Sequence, residues 1–213
     1  MIHAYDKVYL EKARTSLARM LDFAVYDLHY DIKVFFDMFI NSGIAARFEK
    51  GDFRIIAGKS GIELAYDVAE NSGDDKRDIK PRFTANRSEE YWTGWALAYF
   101  QWETGLSFAE IVKYIPIKDI LSLYSPYHEM DIRQFTDKMK VLYKSAKPDT
   151  NLKIIRTKLK LTQKELSELS GVPVRTIQQY EQRQKNINKA QTEYLVMLSK
   201  ALSCKVEDLL EYV

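Results

Sequence analysis

The chain has 213 residues, 32 Lys and Arg against 30 Asp and Glu for a formal charge of +2, and 46% apolar residues, a balance that excludes a disordered tail and supports one or two packed domains. No run of about 18 uncharged apolar residues exists, which excludes a membrane-spanning helix, and Asp6, Lys7, Glu11, Lys12, Arg14 and Arg19 leave no room for an apolar signal-peptide core. The single cysteine, Cys204, excludes a disulfide framework and paired-cysteine zinc spacing, so a cytoplasmic protein without a cofactor is predicted.

In chain order the pattern is helical almost throughout. Leu10, Ala13, Leu17, Leu21, Ala24, Leu28, Ile32, Phe35 and Phe39 recur at three-to-four spacing, which predicts one long helix or two joined ones over about residues 6–40. Asn41, Ser42 and Gly43 break it. Phe53–Ala57 alone resembles a strand. Ser60 and Glu63 form a capping box that opens a helix through about Glu70. Residues 71–87 lack periodicity and hold Pro81, which predicts a mobile loop. Ser88 opens a helix that Gly105 ends. Ser107 and Glu110 open a short one that stops before Pro116, and two more follow over 117–124 and about 130–144.

The N-terminal part carries no catalytic signature. His3, His29 and His128 are scattered, and neither Asp27 with His29 nor His128 with Glu129 has a second pair at metal-ligand spacing. Gly58-Lys59-Ser60-Gly61 lacks the order and the preceding strand of a phosphate-binding loop. Trp92, Trp95, Tyr99 and Trp102 fall within about 80° of one another on a helical wheel. That stripe is either core or a face for a partner protein or small ligand.

Ser145-Ala146-Lys147-Pro148-Asp149-Thr150 reads as a linker. The charge is uneven across it. Residues 146–213 hold 12 basic and 8 acidic side chains, against 20 and 22 in the rest, so a polyanionic partner would belong to the C-terminal part. Asn151–Leu161 reads as a basic helix with Leu152, Ile155 and Leu159 inward. Thr162-Gln163-Lys164-Glu165 is a capping box for a second helix whose apolar stripe is Leu166 and Leu169. Gly171 suits a tight turn, Val172 an apolar contact across it, and Pro173 the first position of a third helix, Val174–Glu181. Leu195, Leu198, Leu202, Val206, Leu209 and Leu210 supply two more helices. Helix, glycine-containing turn, helix is the helix-turn-helix arrangement.

The stretch Asn151–Leu210 resembles the helix-turn-helix domain of the Cro and phage-repressor (Xre) family. Leu161-Thr162-Gln163-Lys164-Glu165-Leu166, Gly171-Val172, Thr176-Ile177, Tyr180-Glu181 and Leu198-x-x-Ala201-Leu202 carry the likeness. The resemblance implies an all-α chain: a helical partner-binding or dimerisation domain over 1–145, a linker over 146–150 and a five-helix lambda-repressor-like domain over 151–213. It also implies sequence-specific DNA binding, with the third helix in the major groove and Val174, Arg175, Gln178 and Gln179 against base edges. Thr162, Gln163, Lys164, Lys185 and Lys189 would meet phosphates. Arg156 and Glu181 match positions that form an internal ion pair in some phage repressors. Four departures stand out, one being Asn186-Ile187-Asn188 where a proline is common. Arg183 replaces a common glycine, which predicts a different path for the loop after the third helix. Pro173 replaces a Ser or Thr cap. Ser167 replaces an alanine.

The N-terminal part, through Tyr91–Tyr99 and Tyr124–Glu129, resembles an uncharacterised helical domain of bacterial regulators that look like antitoxins. The implied function is a transcriptional regulator, a repressor of its own operon and a homodimer, because half-sites one turn apart need two recognition helices. The alternative is an antitoxin that holds a cognate toxin through its N-terminal domain. An N-terminal enzyme finds no converging titratable set.

Overall fold

A computed structural model describes residues 3–74, 76–82 and 87–211. The chain forms two compact units, Met1–Ala146 and Lys147–Val213. Among the described residues there is no strand, and no helix is long and apolar enough to cross a membrane.

The first unit holds α1 (Leu10–Tyr26), α2 (Ile32–Asn41), α3 (Ile44–Glu49), α4 (Phe53–Ile56), α5 (Gly61–Asn71), α6 (Glu89–Thr104), α7 (Phe108–Tyr114), α8 (Ile117–Ser122), α9 (Tyr124–Tyr127) and α10 (Ile132–Ala146). The helical stripe of the first forty residues divides at residues 27–31, where His29 takes a left-handed φ of 59°. Asp31 then caps α2 by accepting the Lys33 N–H at 2.9 Å. All nine stripe residues are buried. α1 packs along both α5 and α6, and it also buries Arg14, Ser16 and Asp22, the pattern of a helix enclosed on most sides.

Small residues set that closeness. Gly94 in α6 faces the α1 backbone, where an added Cβ would stand 2.6 Å from the Leu17 oxygen and 2.8 Å from the Ala18 Cα. In the same core Phe36 and Phe39 of α2, Phe48 of α3 and Phe108 of α7 form an aromatic cluster whose contacting ring centroids lie 5.6–6.3 Å apart.

Two features differ from the sequence pattern. The strand-like Phe53–Ala57 is helical. A strand would send the adjacent Ile55 and Ile56 to opposite faces, yet both are buried in the same core. Asp52 starts the turn by accepting the Arg54 N–H at 3.0 Å. Beyond Asn71, which ends α5, the described residues of the expected mobile loop form no helix or strand, but they are tied to the C-terminal end of α1. The buried Asp27 accepts the Arg82 N–H at 2.8 Å. The buried Asp22 accepts the Ser88 hydroxyl at 2.7 Å and also pairs with Arg19. Lys76 donates to the Leu28 oxygen at 3.1 Å, and Tyr30 and Tyr66 bond to Asp74 and to the Ile79 oxygen. Positions 75 and 83–86 of that loop lie outside the described residues.

The second unit holds α11 (Asn151–Lys158), α12 (Gln163–Ser170), α13 (Val174–Glu181), a 3-10 turn at Ile187–Lys189, α14 (Thr192–Ala201) and α15 (Val206–Leu209). Its core is Leu152, Leu166, Val172, Ile177, Tyr180, Ile187, Leu195, Leu198, Leu202 and Leu209. Two residues assigned inward by spacing point out. Leu159 is 48% exposed because α11 stops at Lys158 and the chain turns through Lys160, whose φ is 57°. Leu169 is 63% exposed because Leu166 and Ser170, one turn apart, already define the inner face of the two-turn α12.

Gly94→Ala forces backbone of α1 and α6 apart. All three tryptophans lie in the first unit, so urea unfolding followed by tryptophan fluorescence reports that unit alone. The variant is expected to lose about 1–3 kcal/mol, the usual cost of overpacking.

Candidate nucleic-acid interface

The capped helix α12 and the helix α13 meet at a short turn in which each residue has a defined task. Thr162 Oγ1 accepts the Glu165 N–H at 3.2 Å, and the Glu165 carboxylate accepts the Thr162 N–H at 2.7 Å. That second bond holds the Glu165 carboxyl below its usual pKa. Gly171 ends α12 at φ 73°, and its N–H donates to the Ser167 oxygen at 2.8 Å. An added Cβ there would stand 3.0 Å from Met197 of α14. Val172 is fully buried, and Ser167 donates its hydroxyl to the Val172 oxygen at 2.7 Å. The serine that replaces alanine at this position therefore fastens the turn. Pro173 occupies the N-cap, not the first helical position, and α13 starts without a side-chain cap.

Behind the turn lies a buried ionic cluster. Arg156 of α11 donates Nε and Nη2 to the two oxygens of Glu181 at 2.6 and 2.9 Å. Its Nη1 donates to the Leu161 oxygen at 2.5 Å, and Gln163 Nε2 donates to Glu181 Oε2 at 2.7 Å. Arg156 and Glu181 are each 8% exposed. One carboxylate thus joins α11, the first residue of α12 and the end of α13. The bond to Glu181 raises the Arg156 pKa above its usual value against the opposing effect of burial. Spacing gave no sign of Gln163 in this cluster. Its side-chain nitrogen donates one of its two N–H groups to Glu181, so the expected phosphate residue is also part of the internal cluster.

The outer side of α13 is polar. Val174 is 39% exposed, Arg175 and Gln182 are exposed, and Gln178 and Gln179 are half-buried, while Ile177 and Tyr180 face the core. Arg175, Lys185 and Lys189 make no ion pair with a described residue, and Lys164 has only a long 3.9 Å contact with Glu168 one turn on. Glu181, the one acid of α13, is consumed by Arg156. This side therefore offers donors, amides and positive charge without a competing carboxylate.

The loop after α13 corrects the expectation drawn from Arg183. Arg183 adopts φ 54°, the left-handed conformation that a glycine would take. The guanidinium compensates. Nε and Nη2 donate to Glu211 at 2.9 and 3.2 Å, and Nη1 donates to the Pro148 oxygen at 2.9 Å. Asn188 exchanges two bonds with the Glu211 backbone at 2.6 and 2.8 Å. Asn186 caps the following 3-10 turn, and Ile187 is buried beneath it. The chain ends of the unit thereby clamp the loop that carries Lys185 and Lys189.

The aromatic stripe of α6 belongs to the other unit and is divided between roles. Trp92 and Trp102 are buried, and Trp102 Nε1 donates to the Tyr5 oxygen at 2.8 Å. Trp95 and Tyr99 are half-buried beneath the Arg14 guanidinium, which lies 3.3 and 5.1 Å from their ring centroids. Among the described residues no three His, Cys, Asp or Glu side chains converge as a metal site.

Residues 152–209 match a family model described as helix-turn-helix. Together with the geometry, this defines the C-terminal unit as a helix-turn-helix domain of the Cro and phage-repressor type, the DNA-binding domain of a regulator and not the fold of an enzyme family. No curated protein and no solved structure matches the chain.

Variants at two supports of this domain, the Arg156–Glu181 pair and Arg183, are compared by native-state hydrogen exchange of the amides in α11 to α14. Glu181→Leu leaves Arg156 buried and uncompensated, and is expected to cost about 3–5 kcal/mol. The double variant Arg156→Met/Glu181→Leu should recover most of it. Arg183→Gly should be about 1 kcal/mol more stable than Arg183→Ala, because both lose the Glu211 clamp and only alanine keeps the left-handed strain.

Proposed function

We propose that the chain is a sequence-specific transcriptional regulator that represses its own promoter as a homodimer. The observation that carries this reading is the outer side of α13: Arg175, Gln178 and Gln179 project from a helix fixed from behind, with no acid beside them. In the major groove Arg175 fits the O6 and N7 acceptors of guanine as a fork. Gln179 fits N6 and N7 of adenine, and Gln178 extends that set along the same face. Val174, partly exposed at the start of the helix, fits a thymine methyl.

Phosphates would meet the start of α12 and the loop after α13. The capping box occupies the N–H groups of Thr162 and Glu165. Those of Gln163 and Lys164 make no hydrogen bond with a described residue, and they sit at the positive end of the helix dipole. Gln163 would therefore hold a phosphate by its backbone, while one side-chain N–H stays on Glu181. The exposed Thr162 hydroxyl, Lys164, Lys185 and Lys189 complete the set. A second copy would place its own α13 about one helical turn of DNA away, and a dimer seated on the promoter excludes polymerase.

Fluorescence anisotropy of the full chain on the DNA upstream of its gene tests the reading. Binding about 10³-fold tighter than to a scrambled duplex is expected. Arg175→Ala/Gln179→Ala should lose that margin with the salt slope unchanged. Lys185→Ala/Lys189→Ala should weaken both duplexes and lower the slope by about 2. Equal, weak binding to both duplexes by the native chain would overturn it.

A further inference from the structure

The N-terminal unit contains a feature that DNA binding does not use. On the outer side of α6 a hollow of about 240 Å³ is lined by Arg87, Tyr91, Trp92, Trp95, Tyr124 and His128. Four of the six are Tyr or Trp, and a fifth is the flat ring of His128. The rings are mutually braced. Trp92 meets Tyr124 edge-on at 5.7 Å and Phe135 edge-on at 5.2 Å, and Tyr124 stacks on His128 at 4.3 Å. Trp95 is held by the Arg14 guanidinium 3.3 Å from its centroid. The Trp92, Trp95, Tyr124 and His128 walls are set before any ligand arrives, which lowers the ordering cost of binding.

The charge of the lining selects the ligand. None of the six residues is an acid. Arg87 lies with its guanidinium carbon 5.0 Å from the Tyr91 ring centroid and makes no ion pair with a described residue. An aromatic cage normally suits a cation, but Arg87 already places one at this site and opposes a second. A planar ring fits between the indole and phenol walls, and an anionic substituent on it fits the guanidinium as a fork. The volume lies below the usual range of roughly 300–1,000 Å³ for drug-sized ligands, which limits the ligand to one or two fused rings.

We infer that this hollow is a binding site for a small planar aromatic acid, so that the N-terminal unit is a ligand-sensing domain. The inference is independent of the DNA contacts above, because every lining residue lies in the first unit.

Indole-3-acetate, indole-3-acetamide and tryptamine share one ring and differ in charge. Each is titrated into the ¹⁵N-labelled full chain while the three tryptophan indole N–H signals are followed, assigned by single Trp→Phe variants. Indole-3-acetate is expected to shift Trp92 and Trp95 saturably and to leave Trp102 in place, since Trp102 is buried apart from the hollow against Tyr5 and His3. The affinity order should be acetate, then amide, then amine. Arg87→Ala should weaken acetate about tenfold, to the level of the amide. Tyr91→Ala should weaken all three while the spectrum stays that of a folded chain. Absence of a saturable shift, or equal movement of all three indoles, would overturn the site. Tightest binding of tryptamine would overturn the assignment of an acid.

Discussion

The C-terminal unit is organised around the buried carboxylate of Glu181. Removing a carboxylate from water costs several kcal/mol unless charge and hydrogen bonds replace the lost solvent, and here three donors from Arg156 and Gln163 do so. The third nitrogen of Arg156 donates to the Leu161 oxygen, at the bend where α11 hands over to α12. The polar cluster therefore fixes the relative placement of three helices that contribute only Leu152, Leu166, Ile177 and Tyr180 to the buried apolar core of the unit. A core of that size packs well but defines orientation loosely. The directional bonds supply what the apolar contacts lack, and the angle at which α13 is presented follows from them.

The N-terminal unit solves a different problem. Its central helix is covered by α5 and α6, and close approach comes from glycine and alanine where the backbones cross. Two acids near the C-terminal end of that helix, Asp22 and Asp27, are buried. They are satisfied by groups from the long connection before α6. The connection is thus anchored by polar groups at these points, with Ile79 packed against the core between them.

Much of this was legible in the sequence because its signals are local. The capping boxes at Ser60 and Thr162, the stops at Gly105 and Gly171, and the three-to-four spacing from Leu10 to Phe39 depend on neighbours within a turn or two. The misread elements depend on distant partners. Ile55 and Ile56 are helical because both reach one core assembled from the rest of the unit. Leu169 is exposed because the core contributed by the other helices meets α12 on its Leu166 and Ser170 side. Arg183 adopts a glycine-like conformation because Glu211 and Pro148, 28 and 35 positions away, bind its guanidinium. The site residues divide in the same way. The periodicity of α13 separates Arg175, Gln178 and Gln179 from Ile177. The inward turn of Gln163 and the gathering of Arg87 and His128 about the α6 tryptophans require the fold.

The placement of the ionic cluster behind α13 has an evolutionary consequence. The side chains that hold the helix, Ile177, Tyr180 and Glu181, are different residues from those on its outer side. Substitution at Val174, Arg175, Gln178 or Gln179 removes neither a core contact nor a bond to the buried carboxylate. Selection can therefore rewrite the outer surface one residue at a time, while the energetic foundation beneath it stays fixed. Descendants of this domain can diverge in what they recognise long before they diverge in how they fold.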